Sequence, residues 1–179
     1  LKSGLHVLDV GTGFGDPALD AARAVGPKGS VIGVDHSAER LAQARKRARQ
    51  HEVSNVWFRE MDAPELHFPE SSFDAVLSRL VVLYFANPAQ FLDEILRVLK
   101  PSGRAAIATW VGGARNPLIN MPLQVLRRHA EAATTLPTQA QRAVGDRVNT
   151  GTPGVLEDAM RQAGFQDTAT GVVPLKLAV

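Results

Sequence analysis

Four short stretches of this 179-residue chain combine carboxylates, hydroxyls and glycines in patterns that could bind and orient a ligand. The first is Val7-Leu8-Asp9-Val10-Gly11-Thr12-Gly13-Phe14-Gly15-Asp16-Pro17, an apolar run that reaches an acid and then places glycine at every second position. The second is Asp35-His36, which closes the apolar run 31–34. The third is Met61-Asp62-Ala63, just beyond Val56-Trp57-Phe58-Arg59-Glu60, and the fourth is Ser78-Arg79 at the end of Phe73-Asp74-Ala75-Val76-Leu77. Three closely spaced glycines cost backbone entropy and pack no side chains, so they are of use where the chain must turn sharply and let a ligand approach its amides. A dinucleotide fingerprint reads Gly-x-Gly-x-x-Gly, whereas here the third glycine comes one residue early and Asp16 holds the later position. A carboxylate two residues before the first glycine would repel a phosphate, so Asp9 fits a ligand with a cationic end better. Asp35 stands about 20 residues past the turn, where nucleotide-binding folds place the carboxylate that accepts ribose hydroxyls.

These residues need strands that end together. The pattern predicts a first buried strand over 5–10, with Asp16 as the N-cap and Pro17 as the first residue of a helix over 17–25 that Gly26-Pro27 ends. A second strand covers 29–35, and Ser37 caps a helix from about 38 to 50. The basic residues Arg40, Arg45, Lys46, Arg47 and Arg49 on that helix read as a solvated face opposite Leu41, Ala44 and Ala48. Strands over 56–60 and 73–79 follow, then a short apolar stretch, 81–85, expected over the ligand site. An amphipathic helix from Pro88 to Lys100 turns Leu92, Ile95, Leu96 and Leu99 inward, and Pro101-Ser102-Gly103 leads into a fifth strand over 104–110. The stretch 111–151 is rich in Gly, Pro, Asn, Thr and Gln, with one helical piece over 118–132, and is long enough to be a lid or substrate-binding insertion. A helix over 152–163 closed by Gly164 and a sixth strand over 165–173 complete the pattern. Strands alternating with helices predict an α/β fold, a doubly wound and mostly parallel sheet of six to seven strands in three layers.

The bulk properties remove several classes. The length corresponds to one domain, 1–179, divided into a core over 1–110, the insertion and a C-terminal part over 152–179. A formal net charge of +2 gives no electrostatic case for a nucleic-acid partner. No apolar run approaches the roughly 20 residues of a membrane-spanning helix. The chain has no cysteine, which excludes disulfides, thiolate metal sites and a thiol nucleophile and is compatible with a cytoplasmic protein. It begins at Leu1 directly before a strand and reads as a fragment, without helices ahead of the first strand and with the last strand in doubt.

The run VLDVGTGFGDPALDAARAVGPKGSVIGVDHS, then MDA, FPESSFDAVLSR and LRVLKPSGRAAIATW, resembles the class I S-adenosylmethionine-dependent methyltransferases of the small-molecule, ubiquinone- and menaquinone-biosynthesis type. The resemblance implies a Rossmann-like fold and assigns roles by position. Gly11, Thr12, Gly13 and Gly15 would pass under the methionine part of S-adenosylmethionine, with Asp9 helping to hold its ammonium end. Asp35 would take the ribose hydroxyls and His36 would pack beside the adenine. Met61, Asp62 and Ala63 would read the adenine edge, and Ser78 would line the methionine end through its backbone.

Methyl transfer from a sulfonium needs chiefly alignment and exclusion of water, and a general base only where the acceptor is still protonated. Catalytic residues are therefore hard to see: His129 and Tyr84 are the candidates, with Arg79, Tyr84 and Trp110 on the acceptor side. The acceptor expected is a small, partly apolar molecule, because Leu118, Met121, Leu123, Val125 and Leu126 supply apolar side chains or core. No metal site is expected. A nicotinamide-dependent dehydrogenase is the enzymatic alternative, opposed by the glycine spacing, by Asp9 and by the lack of a Tyr-x-x-x-Lys pair. A non-catalytic module that binds S-adenosylmethionine is the other alternative.

Overall fold

A computed structural model of the chain describes residues 1–85, 87–111, 116, 125 and 151–174. The chain divides into two compact units, Leu1–Thr109 and Trp110–Val179. The first is built from β1 (His6–Val10), α1 (Asp16–Val25), β2 (Ser30–Asp35), α2 (Ala38–Gln50), β3 (Val56–Glu60), β4 (Phe73–Arg79), a single 3₁₀ turn (Val82–Tyr84), α3 (Ala89–Val98) and β5 (Leu99–Ala108). The five strands form one parallel sheet in the order β3-β2-β1-β4-β5. This is the Rossmann-like α/β fold the sequence predicts, with five strands among the described residues rather than six or seven.

The strand order follows from the apolar pattern. In β1, Val7, Leu8 and Val10 are all buried, as a central parallel strand covered on both faces requires. From β1 the chain steps outward through β2 to β3, then returns to the other side of β1 for β4 and β5. Right-handed crossovers therefore put α1 and α2 on one face and α3 on the other. Val7, Val31, Val56 and Ala75 pack with Ala18, Leu19, Ala22, Val25, Leu41 and Ala44 on the first face. Phe91, Leu92, Ile95 and Val98 form the buried stripe of α3. Reversal of the strand order between β1 and β4 opens a crevice at their carboxyl ends, where ligands of such sheets bind.

Several boundaries differ from the sequence reading, each for a local reason. Asp16 is not the N-cap of α1: Gly15, in the left-handed region at φ 86°, holds that position and its carbonyl accepts from the Leu19 amide. Asp16 is drawn to Arg47 instead. Helix α3 ends at Val98, so Leu99 is buried as the first residue of β5, and Leu96 lies on the exposed side. Pro101-Ser102-Gly103 sits inside β5, as an irregularity between the pairs Phe73–Leu99 and Ala75–Arg104. The strand ends at Ala108, short of Trp110.

In the second unit, α4 (Val155–Gln162) starts three residues later and ends one residue earlier than expected, with Ala163 as its C-cap. The Phe165 amide reaches the Met160 carbonyl and Gly164, at φ 99°, reaches that of Arg161, which is a Schellman termination. No strand forms over 165–174. Asp167 adopts φ 51°, which breaks an extended run, and the Thr170 hydroxyl bonds Glu157. The expected insertion over 111–151 and the segment 175–179 fall almost wholly outside the described residues.

Asn55, ahead of β3, is the main polar tie of the first unit. Its side-chain amide donates to the carbonyls of Ala22 and Gly26 at 2.9 Å and of Gly29 at 3.3 Å, joining the end of α1 to the start of β2. Replacing Asn55 with Ala leaves these half-buried carbonyls short of a donor, and urea unfolding should register a loss of about 1–3 kcal/mol.

Candidate functional site

The site grows from the end of β1. Ser78 is paired with Val10 across the β1–β4 register, and its buried hydroxyl donates to the Val10 carbonyl at 3.0 Å, fixing the two strand ends together. The chain then turns through Gly11, Gly13 and Gly15 at φ 72°, 55° and 86°. The Gly11 and Thr12 amides both donate to the Val34 carbonyl of β2, so the turn is stitched to the neighbouring strand. A Cβ at Gly11 would run into Cγ2 of Val81, whereas one at Gly13 would meet nothing within 4 Å. One glycine is thus required by close packing, while the next leaves open space for a ligand.

Asp35, at the end of β2, is almost fully buried. One of its oxygens accepts from the Gly13 amide and the other from the Ser37 amide, both at 2.9 Å. The carboxylate ties the glycine turn to the entry of α2, and each oxygen retains a further lone pair. His36 beside it is exposed, with Nδ1 3.7 Å from the Asp35 carboxylate. Met61 is tied to the same strand end by its amide, which donates to the Asp35 carbonyl at 3.1 Å. Asp62 is exposed and its Oδ1 accepts from the Ala63 amide at 3.1 Å, so two groups expected to read a base meet each other here.

The basic helix does more than face solvent. Arg47 donates to the Phe14 carbonyl at 3.0 Å and to Asp16 at 2.6 Å, and Arg45 donates to the Phe58 carbonyl at 2.8 Å. Arg45 and Arg47 flank the buried Leu41-Ala44-Ala48 stripe, while Lys46 and Arg49 lie on the exposed side. Helical register could have separated these roles; the composition of the run could not. Asp16 also lies 3.8 Å from Arg79, the exposed last residue of β4. Arg47 holds the Asp16 carboxyl below its ordinary value.

Leu80 and Val81 carry no signal in the sequence beyond being apolar, yet they shape the crevice. Leu80 takes φ 64° while its amide donates to the Ala108 carbonyl at 2.8 Å, and this reversal swings Val81 over Gly11. On the opposite face of the sheet, Glu94 and Arg97 of α3 hold the segment beyond Met61-Asp62-Ala63. Arg97 donates to the carbonyls of Leu66 and Phe68, and Glu94 accepts from the Leu66 amide.

Asp9 is the electrostatic anomaly. It is fully buried, and neither carboxylate oxygen has a hydrogen-bond partner of acceptable geometry; the Thr12 hydroxyl is unpaired as well. Burial pushes the Asp9 carboxyl up from 3.8 to about 7, while Thr12, Arg79 and the Ala18 amide pull the other way and Asp35 adds to the rise. Of the acceptor-side candidates, Arg79 stands at the crevice and Tyr84 is exposed on the 3₁₀ turn. Trp110 is half-buried at the start of the second unit, and His129 lies outside the described residues. The geometry therefore gathers Asp9, Gly11, Thr12, Gly13, Gly15, Asp35, Ser78 and Arg79 at one set of strand ends.

A parallel sheet whose order reverses beside a glycine turn, with carboxylates at or next to the ends of its first two strands, places the chain among α/β proteins of the Rossmann-like class. The model of the family described as "Methyltransferase domain" matches residues 1–149, and the chain belongs to that family. It is 38% identical over 117 residues to an arsenite methyltransferase of Halobacterium salinarum, covering 65% of this chain and 30% of that protein. It is 39% identical over 105 residues to a demethylmenaquinone methyltransferase of Lactiplantibacillus plantarum, covering 58% of this chain and 44% of the relative. The chain thus spans less than half the length of either relative. Among solved structures, phosphoethanolamine N-methyltransferase 2 of Haemonchus contortus in complex with S-adenosyl-L-methionine superposes with a TM-score of 0.68 at 28% identity, covering 93% of this chain and 34% of that one. The residues present fit such a cofactor: the space over Gly13 and the orphaned buried polar atoms of Asp9 and Thr12 lie at the turn where its amino-acid end would sit.

Two outcomes follow from this geometry. Gly11→Ala should destabilise the chain through both the positive φ and the clash, by roughly 2–4 kcal/mol. Adding Val81→Ala should recover only the steric part, as a double-mutant cycle in urea would show. The Asp9 carboxyl, raised in the folded state to about 7, contributes stability that is full below its unfolded value of 3.8 and lost as pH rises through 7. Unfolding free energy measured from pH 4 to 8 should carry a falling component on the order of 4 kcal/mol at most, absent from Asp9→Asn.

Proposed function

We propose that this chain carries out methyl transfer from S-adenosylmethionine to a small, partly apolar organic acceptor. The observation that carries the reading is the glycine turn at the β1–β4 reversal, held open over Gly13 and anchored by Asp35. The cofactor supplies an activated methyl on a sulfonium, whose departure leaves a neutral thioether. The chain's part is to bind and align: the turn receives the amino-acid end, with Asp9 and Thr12 beneath it and Ser78 fixing the adjoining strand end. The free lone pairs of Asp35 take the ribose hydroxyls, His36 packs at the base, and Asp62 and Ala63 exchange their mutual hydrogen bond for the adenine edge. Ordering both partners in line accounts for most of the rate such a site supplies.

The acceptor side is assigned to Arg79 and Tyr84 of the first unit, with Tyr84 as the base where the nucleophile is protonated. Of the two relatives' acceptors, an organic ring suits this chain better than arsenic, because trivalent arsenic favours thiolates and these 179 residues hold no cysteine. Among the described residues no helix is long and apolar enough to cross a membrane. Family membership removes the support for a nicotinamide-dependent dehydrogenase.

Calorimetric titration with S-adenosylmethionine, S-adenosylhomocysteine and NAD tests the reading. The first two should bind, NAD should not, and Asp35→Ala should weaken both by at least about tenfold. Binding of NAD alone would overturn it. Transfer of labelled methyl from the donor to a quinol-type acceptor then separates an enzyme from a binding module.

A further inference from the structure

Polar side chains along one row of α3 hold the loop that leads away from Asp62 and Ala63. Gln90, Glu94 and Arg97 recur at helical spacing beside the buried Phe91, Ile95 and Val98. A solvated helix face would leave such a row to water, and Glu94 with Arg97 would be a surface pair of little worth. Here Glu94 and Arg97 are half-buried, and each member of the row reaches the backbone of residues 64–68. Gln90 donates to the Pro64 carbonyl at 3.2 Å. Glu94 accepts from the Leu66 amide at 2.7 Å, while Arg97 donates to the carbonyls of Leu66 at 2.6 Å and Phe68 at 2.8 Å. Arg97 also meets both Glu94 oxygens, through Nε at 2.6 Å and Nη2 at 2.8 Å, a planar fork that lysine cannot reproduce.

The other end of the same loop is tied to β2. The Met61 amide donates to the Asp35 carbonyl and the Glu65 amide to the Asp62 carbonyl, both at 3.1 Å, and the His67 amide reaches Met61 Sδ at 3.3 Å. Leu66 and Phe68 are buried, the latter edge-on against Phe73. Asp62 and Ala63 therefore sit on a bend whose backbone is pinned from both sides, while the Asp62 side chain is exposed and bonds only the neighbouring Ala63 amide. A ligand edge can take both groups when that side chain turns, with the backbone left where α3 and β2 hold it.

We propose that the Gln90-Glu94-Arg97 row is the positioning device that lets Asp62 and Ala63 select adenine over its oxo counterpart, hypoxanthine, on the methyl donor. The proposal rests on the S-adenosylmethionine reading above. Discrimination is a matter of polarity. Adenine offers an exocyclic amine to the Asp62 carboxylate and an unprotonated ring nitrogen to the Ala63 amide; hypoxanthine reverses both, with a carbonyl oxygen and a ring N–H. The mismatch leaves a carboxylate and an amide without partners, and it is costly only where the backbone cannot shift to relieve it. A pinned bend rejects the wrong base, whereas a loose one follows either ligand. The members of the row act on the loop backbone and not on the ligand, so they are positioning residues.

The test is competition calorimetry of the full chain with S-adenosylhomocysteine and S-inosylhomocysteine, beside amide hydrogen exchange of the free protein. Wild-type chain should prefer the adenine ligand by at least about a hundredfold. Arg97→Lys keeps the charge and loses the fork, and should lower that preference about tenfold, weakening the adenine ligand more than the other. Exchange at Glu65 and Leu66 should quicken about tenfold in this variant while the β1 and β4 amides keep their wild-type rates, which separates a loosened loop from a destabilised fold. Gln90→Ala removes one exposed contact and should lower the preference about threefold; this arm stands even where Arg97→Lys folds poorly. Equal weakening of both ligands, or a preference unchanged in both variants, overturns the proposal. A wild-type chain that binds the two ligands alike overturns it together with the roles of Asp62 and Ala63, while failure of S-adenosylhomocysteine to bind overturns the reading beneath it as well.

Discussion

The reversal of strand order between β1 and β4 imposes the constraint on which the rest of the site depends. It leaves a gap at the carboxyl ends of two adjacent strands, and the chain leaving β1 must pass through it before entering α1. Val81 closes that gap so nearly that no side chain fits at Gly11. The backbone must then turn through two more left-handed residues to reach the helix, and its amides are left to be satisfied from β2. Glycine answers the steric demand, and the Val34 carbonyl and the Asp35 carboxylate answer the polar one. A ligand pocket is what remains of the gap once those demands are met.

Seen this way, the carboxylates of the first two strands do different work. Asp35 is engaged through one bond to each oxygen: it holds the turn on one side and the α2 entry on the other, and is structural before any ligand arrives. Asp9 is unengaged in a buried position, a state that costs stability in the free chain and makes the site responsive to a cation. Arg47 and Arg45 hold the periphery, one on Phe14 and Asp16 and the other on the β3 backbone, so the loop is clamped from a helix on the same face of the sheet.

Much of this was legible in the sequence because it rests on residue types with narrow conformational or chemical use. The glycine triplet, the acids at 9 and 35, Ser37 as a cap and Gly164 as a stop each have a local reason that a sequence displays. The five parallel strands emerged from the same apolar periodicity. What escaped depends on register or on distant contacts. Asp16 looked like a cap because it precedes Pro17, but Gly15 in the left-handed region holds that place and Arg47, 31 positions away, takes the carboxylate. Leu80 and Val81 look like any apolar pair until β4 places them over the turn. The alternating run 165–173 has strand-like composition, and a left-handed Asp167 among exposed neighbours ends the extended path.

The central claim is that a ligand is received at these strand ends, around the turn that Val81 and Asp35 hold in place. Amide NMR of the isotopically labelled chain during titration with S-adenosylmethionine tests it most directly. The account predicts saturable shifts centred on Gly11, Gly13, Asp35, Met61 to Ala63 and Ser78, with little change at the opposite strand ends near His6, Ser30 and Phe73. Shifts confined to those opposite ends, or to α4, would contradict it.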